Sequence, residues 1–183
     1  MEKICLQPLG DVESRVLDRI AEIVEDRFGL PVETLNAMEV HAHAFNAGRG
    51  QYHSTELLRD LLRRMPDDAL KILGITEVDL FVPQLNFVFG EATVDGRAGI
   101  ISLRRLRPEY YGGTPSDRLF VERAVKEAVH ELGHTFGMKH CQDPRCVMFF
   151  SNDIEDTDHK STRFCANHAH QLAQKLRPLR KAA

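Results

Sequence analysis

Apolar residues recur at helical spacing in several stretches of this chain. Val16, Leu17, Ile20, Ile23, Val24 and Phe28 make one stripe, and Gly29 and Pro31 follow as a stop, so the pattern predicts an amphipathic helix. Leu57, Leu58, Leu61, Leu62 and Met65 make a second, ended by Pro66. A long helix is predicted over 117–136, with Pro115 near its start and Gly137 as its stop. A last helix covers about 161–176, and the tail LRPLRKAA is expected to fray. Residues 4–9, 79–82 and, weakly, 32–40 read as strands. Two β-rich runs, 86–94 and 97–106, flank Asp95-Gly96, which predicts a hairpin with a two-residue turn. Residues 41–53, 107–116 and 138–157 read as irregular. Strands and helices alternate early and helices dominate late, as in a mixed sheet covered by helices.

Composition narrows the picture. A chain of 183 residues with 43 % apolar residues can bury one core, so a single domain is expected, with lobes of about 1–137 and 138–183. Lys+Arg is 24 and Asp+Glu is 27, a net charge of −3, which argues against a nucleic-acid partner. Arg104, Arg105 and Arg107 beside Tyr110 and Tyr111 read as a solvated strand end and loop. Residues 153–158 (DIEDTD) read as a solvated approach to the last helix, and His41, His43 and His53 as surface or turn positions. No apolar run approaches the roughly 20 residues of a membrane helix. The N-terminus MEKICLQPLG lacks a secretory apolar region, so no membrane partner and a cytoplasmic, reducing location are expected.

The chemistry concentrates at His130-Glu131-Leu132-Gly133-His134-Thr135-Phe136-Gly137-Met138-Lys139-His140, an unbroken H-E-x-x-H-x-x-G-x-x-H. Histidines at i and i+4 lie one turn apart on one helical face and can share one zinc ion. A turn at Gly137 lets His140 approach the same ion. Three protein ligands leave a position for water, whose pKa zinc lowers to about 7. Glu131 is placed to take that water's proton. Val121, Val125, Val129, Leu132 and Phe136 define the opposite, core-facing side, so metal face and core face are separate. From this composition the full pattern arises by accident with a probability of roughly 0.0001.

Four cysteines are present: Cys5, Cys141, Cys146 and Cys165. Cys141-x4-Cys146 and Cys165-x2-His168 have the spacing of two zinc half-sites and would form a closed, structural Cys₃His site. His170 is a rival fourth ligand, and buried free cysteines are the plain alternative.

These residues together resemble the archaemetzincins, or archaelysins, within the metzincin zinc peptidases. That family's signature places a Cys directly after the third His, a second after four residues, then x-Met, then a C-x-x-C pair. Here His130, His134 and His140 match the catalytic ligands and Glu131 the general base. Met148 matches the Met-turn residue under the catalytic metal, and Cys141, Cys146 and Cys165 match structural zinc ligands. His168 stands where the family has its last Cys, and the interval from Met148 to Cys165 is one residue short. The likeness extends through RGQYHST (49–55), NFVFGEA (86–92) and ISLRRL (101–106), over about residues 2–176.

The resemblance implies an α/β (α+β), metzincin-like fold: a twisted mixed sheet, mostly parallel, with an antiparallel edge strand that pairs with an extended peptide. The candidate strand is 86–91, giving Asn86, Phe87, Val88, Phe89 and Gly90 as substrate-binding residues. The reading is then a zinc-dependent peptide-bond hydrolase with two Zn²⁺, one catalytic and one structural. It acts on a peptide or protein, through a zinc-bound water activated by Glu131. The alternative is a two-zinc scaffold protein with little or no turnover.

Overall fold

A computed structural model describes residues 2–181. Five strands form the main sheet: β1 (Lys3–Leu9), β2 (Val32–Thr34), β5 (Ala69–Thr76), β7 (Gly90–Ala92) and β8 (Ala98–Ser102). Their order is β2-β1-β5-β8-β7, parallel except for the edge strand β7, which runs antiparallel to β8. A smaller sheet joins β3 (Phe45–Asn46), β4 (Gln51–His53) and β6 (Leu80–Phe81). The helices are α1 (Ser14–Phe28), α2 (Ser54–Arg64), α3 (Asp117–Thr135), α4 (Ile154–His159) and α5 (Ala166–Lys181).

Alternation along the strands sorts the layers. Ile4, Leu6, Leu73, Ile75 and Ile101 pack with α1 and α3 in a core that reaches Leu172 and Leu176 of α5. Cys5, Ile72, Ala98 and Ile100 face the other way, onto Leu57, Leu58 and Leu61 of α2. Cys5 is thus a buried hydrophobe, outside any polar cluster. The first amphipathic stripe is realised, and Gly29 closes α1 in the left-handed conformation, φ 62°; of the second, Leu57, Leu58 and Leu61 are buried, whereas Leu62 is exposed and Met65 lies just past the end of α2.

The central strand β5 escaped the sequence pattern. It is a parallel strand covered on both faces, so its residues do not alternate, and Lys71 and Gly74 interrupt the apolar run. The hairpin differs from expectation too. Ala92 pairs with Gly99 and Thr93 bonds Ala98, so the loop is longer than two residues. Residues 86–89 join no ladder beyond a bridge from Val88 to Leu80, and β7 proper begins at Gly90. Short strands β3 and β4 occupy the stretch read as loop, and only 32–34 of the expected strand 32–40 forms.

Residues 153–158, expected to be a solvated approach, are solvated at Asp153 and Glu155 but ordered on their other side. They form most of α4, whose Thr157 is buried and whose Asp158 pairs bidentately with Arg123 at 2.7 and 2.6 Å. α5 starts at Ala166 because the preceding residues spend their backbone bonds elsewhere. Ser161 N–H reaches Arg145 O, and Arg163 O accepts from Val147 N–H. α5 continues through Pro178 to Lys181, and the last two residues of the tail expected to fray lie outside those described. Among the described residues no helix is long and apolar enough to cross a membrane.

Candidate metal centre and its cleft

α3 is capped at its start by Ser116, whose hydroxyl accepts from Leu119 N–H, and Gly137 at φ 85° turns the chain after its end. From Arg123 to Thr135 every residue is buried, so the metal face expected opposite the core face is itself enclosed, by the chain that follows. The β7–β8 turn docks on the helix end. Asp95 N–H donates to His134 O, and Lys71 donates to Gly96 O and Thr135 O at 2.6 and 2.7 Å. Lys71 Nζ lies 4.7 Å from the centre of the Phe136 ring. Burial pulls Lys71 down from 10.5 to about 8.

His130, His134 and His140 converge. His134 Nε2 lies 3.1 Å from His130 Nε2 and 3.2 Å from His140 Nε2. Ligand bonds of about 2.0–2.1 Å in a tetrahedron put nitrogens roughly 3.3 Å apart, so the spacing suits zinc. His130 Nδ1 donates to Val147 O and His134 Nδ1 to Met138 O, each at 2.8 Å, which turns both Nε2 lone pairs inward. Burial, and after it the charge of Lys160, pushes His130 well below the ordinary histidine range, and burial lowers His134 and His140. Neutral rings are what a metal requires. His140 is the exposed member, and the Phe150 ring packs on it at 4.7 Å.

Glu131 is buried beside this trio. Burial first, then Glu127 one turn away, pushes its carboxyl well above the usual range. Glu127 itself pairs with the fully buried Lys160 at 2.8 Å. The edge strand comes so close to Glu131 that a Cβ on Gly90 would stand 2.6 Å from its Oε1. A cavity of about 240 Å³ opens there, lined by residues 85–90, Glu127, His130, Glu131 and 150–152. All five expected substrate-binding residues line it. Met148 is fully buried, with its sulfur against Gly133 of α3 between the two helical histidines.

A second cluster gathers behind. Cys141 Sγ is 3.8 Å from Cys165 Sγ, and His168 Nδ1 is 3.5 Å from Cys146 Sγ and 3.4 Å from Cys165 Sγ. For tetrahedral zinc with S at about 2.3 Å, S–S and S–N edges of roughly 3.8 and 3.5 Å are expected. Cys165 N–H points at Cys146 Sγ, 3.3 Å away. Burial pushes the Cys146 thiol up to about 12, so a cation is needed to hold it as thiolate. His170 is exposed and bonds Gln174, away from the cluster.

A grouping of His41, His43 and Asp60 was not anticipated. His41 Nδ1 donates to the buried Asp60 at 2.8 Å while its Nε2 accepts from Arg64. Arg63 takes the other oxygen of Asp60. That bonding puts the His41 proton on the nitrogen a metal would need, and the group fastens a loop to α2. Arg104, Tyr110 and Tyr111 are exposed, as the solvated reading expects, but Arg105 and Arg107 are only partly exposed. They pair with Asp79 and Glu77 in and beside short 3₁₀ turns at Arg104–Leu106 and Pro108–Tyr111.

The sequence profile of peptidase family M54 matches residues 7–174. The chain is 45 % identical over 163 residues to the archaemetzincin of Methanocaldococcus jannaschii, covering 89 % of this chain and 88 % of that one. The crystal structure of archaemetzincin from Methanopyrus kandleri superposes with a TM-score of 0.85 at 39 % identity, over 97 % of this chain and 96 % of that one. That of archaemetzincin from Archaeoglobus fulgidus, complexed with malonate, gives 0.79 at 40 % identity, over 93 % and 99 %.

Proposed function

The chain belongs to peptidase family M54, the archaemetzincins, and is a zinc metallopeptidase; from that premise we propose which residues cut the peptide and how. The observation that carries the proposal is the convergence of three Nε2 atoms beside the buried Glu131 carboxyl. His130, His134 and His140 hold the catalytic ion. When bound, zinc supplies Lewis acidity toward water and the scissile carbonyl. Glu131 takes a proton from the attacking water and returns it to the leaving amine. Its carboxyl is buried next to His130 in the wall of the cavity, where general-base assistance is typically worth about 10²–10⁴ in rate. Residues 86–90, the wall of the adjoining cavity, receive the extended peptide. Met148 fills the floor beneath the helical histidines and is not a ligand.

Cys141, Cys146, Cys165 and His168 hold a second, structural ion. That ion ties the segment after α3 to the start of α5, and the whole chain acts as one catalytic domain with a lobe boundary near residue 137. The cysteines are free of disulfides, in keeping with a cytoplasmic location. Arg105 and Arg107 are spent on Asp79 and Glu77, which supports a partner other than nucleic acid.

Metal counting with graded chelation tests this assignment. Two zinc ions per chain are expected. A chelator should remove the open three-histidine ion first, abolish turnover of a mixed peptide library and leave the fold intact, and added zinc should restore turnover. At most one zinc in fully metallated protein, or one-step loss of both ions, contradicts it. Two ions with no turnover of any peptide would favour the scaffold alternative.

A further inference from the structure

The stretch RGQY is shared in likeness with the family but carries no metal ligand or base. Its side chains have a clear destination. Arg49 Nη2 donates to Leu85 O at 2.7 Å and to Asn86 O at 3.0 Å, across more than thirty residues of chain. Gln51 Nε2 adds a third bond, to Asn86 O at 3.0 Å. The two are joined, since Arg49 Nε donates to Gln51 Oε1 at 2.9 Å. Gln51 is anchored in turn by Asp79, at 2.9 Å. Burial would raise the Asp79 carboxyl, yet bonds from Arg105 and Gln51 hold it below the usual range. Arg105 grips Asp79 with two bonds of 2.7 Å and lays its guanidinium 4.2 Å over the Phe87 ring. The Arg49 guanidinium rests 4.3 Å over Phe81.

Three of these bonds and the Arg105–Phe87 contact end on one segment. Residues 85–89 lie outside the named strands and hold to the sheets by few backbone bonds, among them Val88 N–H to Leu80 O and Ser102 N–H to Phe89 O. Yet this segment is the cavity wall facing His130 and Glu131. Arg49, Gln51, Asp79 and Arg105 do not line that cavity. They grip the wall from elsewhere. A wall without a ladder of its own needs such a clamp to present its backbone in one geometry to a peptide.

We propose that Arg49, through the Arg49–Gln51–Asp79–Arg105 network, is a positioning residue that fixes residues 85–87 for substrate binding. The inference rests on the reading that this wall receives the peptide. Arg49 is exposed, and its guanidinium is spent on two backbone carbonyls, Gln51 and the face of the Phe81 ring, away from both metal centres. Arg49→Ala should raise KM for an extended peptide about tenfold, change kcat by less than about threefold, and keep zinc content and melting temperature at wild-type values. Arg49→Lys, which keeps the charge but not the fork, should fall between. A merely structural role would lower the melting temperature and leave KM in the folded enzyme unchanged. Phe87→Ala, in the wall itself, separates the two levels. If it raises KM while Arg49→Ala does not, the wall binds substrate and the inference about Arg49 fails. If neither variant moves KM, the wall reading fails and takes the inference with it.

Discussion

Gly90→Ala is the sharpest probe of how the edge strand meets the catalytic centre. A Cβ there would stand 2.6 Å from Glu131 Oε1, 2.7 Å from Glu131 Cγ and 2.7 Å from Ile100 O. Ordinary carbon contacts begin near 3.5 Å, so each approach is short by nearly 1 Å. The Glu131 head can rotate away, but Ile100 O belongs to β8, which is paired on both sides. Rotation of the carboxylate leaves the clash with Ile100 O, so β7 must shift by an amount close to that deficit and Glu131 with it. Overpacking of this kind costs about 1–3 kcal/mol of stability. A displacement near 1 Å at a reacting group costs about 10² in rate. The expected result is a folded protein whose kcat/KM on a peptide cleaved by the wild type falls about 100-fold. Zinc content should hold, because His130 and His134 are oriented by Val147 O and Met138 O and not by β7. Gly99→Ala is the control. Its Cβ would meet its nearest neighbours at 3.4 Å, Glu131 Cβ among them, and should cost under about tenfold. Wild-type kcat/KM in folded Gly90→Ala would refute the placement of Glu131 against the edge strand.

His168→Ala should release one zinc and lower the melting temperature, whereas His170→Ala should do neither. The reverse result in metal analysis and thermal melts would reassign the fourth ligand. Lys71 gives a pH signature. Its folded pKa of about 8 lies below the unfolded value of 10.5, so the folded state binds fewer protons between them and stability rises with pH across that window. The penalty is full below about pH 8 and gone above the unfolded pKa; a shift of that size corresponds to roughly 3 kcal/mol. Denaturant midpoints of wild type and Lys71→Met should therefore differ increasingly in favour of wild type from pH 8 to 10, and parallel curves would contradict the burial argument.

How far the sequence could be read followed from where each element keeps its information. α3 was legible because motif, stripe and stop lie within twenty residues of each other. The second cluster was nearly so. Cys165 and His168 are three apart, but the choice against His170 needed the helix that begins at Ala166, on which two further residues turn the side chain by about 200°. β5 was not legible, since a strand buried on both faces has no period to detect. Arg49, Gln51 and Arg105 were misread or left without a role for a different reason. Their partners are far along the chain, and only the folded topology brings the 85–87 carbonyls and ring to them. The helix wheel placed the histidines away from the core face, but could not tell that the metal face would be buried as well, by β7 at Glu131 and by the segment around Val147 at His130.

The most direct measurement of the central claim is zinc content and peptide turnover of Glu131→Gln, side by side with wild type. Gln keeps the shape and helix propensity of Glu and lacks the basic oxygen. The three histidines and the bonds that orient two of them are untouched. The account predicts unchanged zinc, an unchanged melting curve and a loss of about 10²–10⁴ in rate, the usual worth of general-base assistance. Full activity in the zinc-loaded Gln variant would contradict it, because proton transfer would then not pass through Glu131.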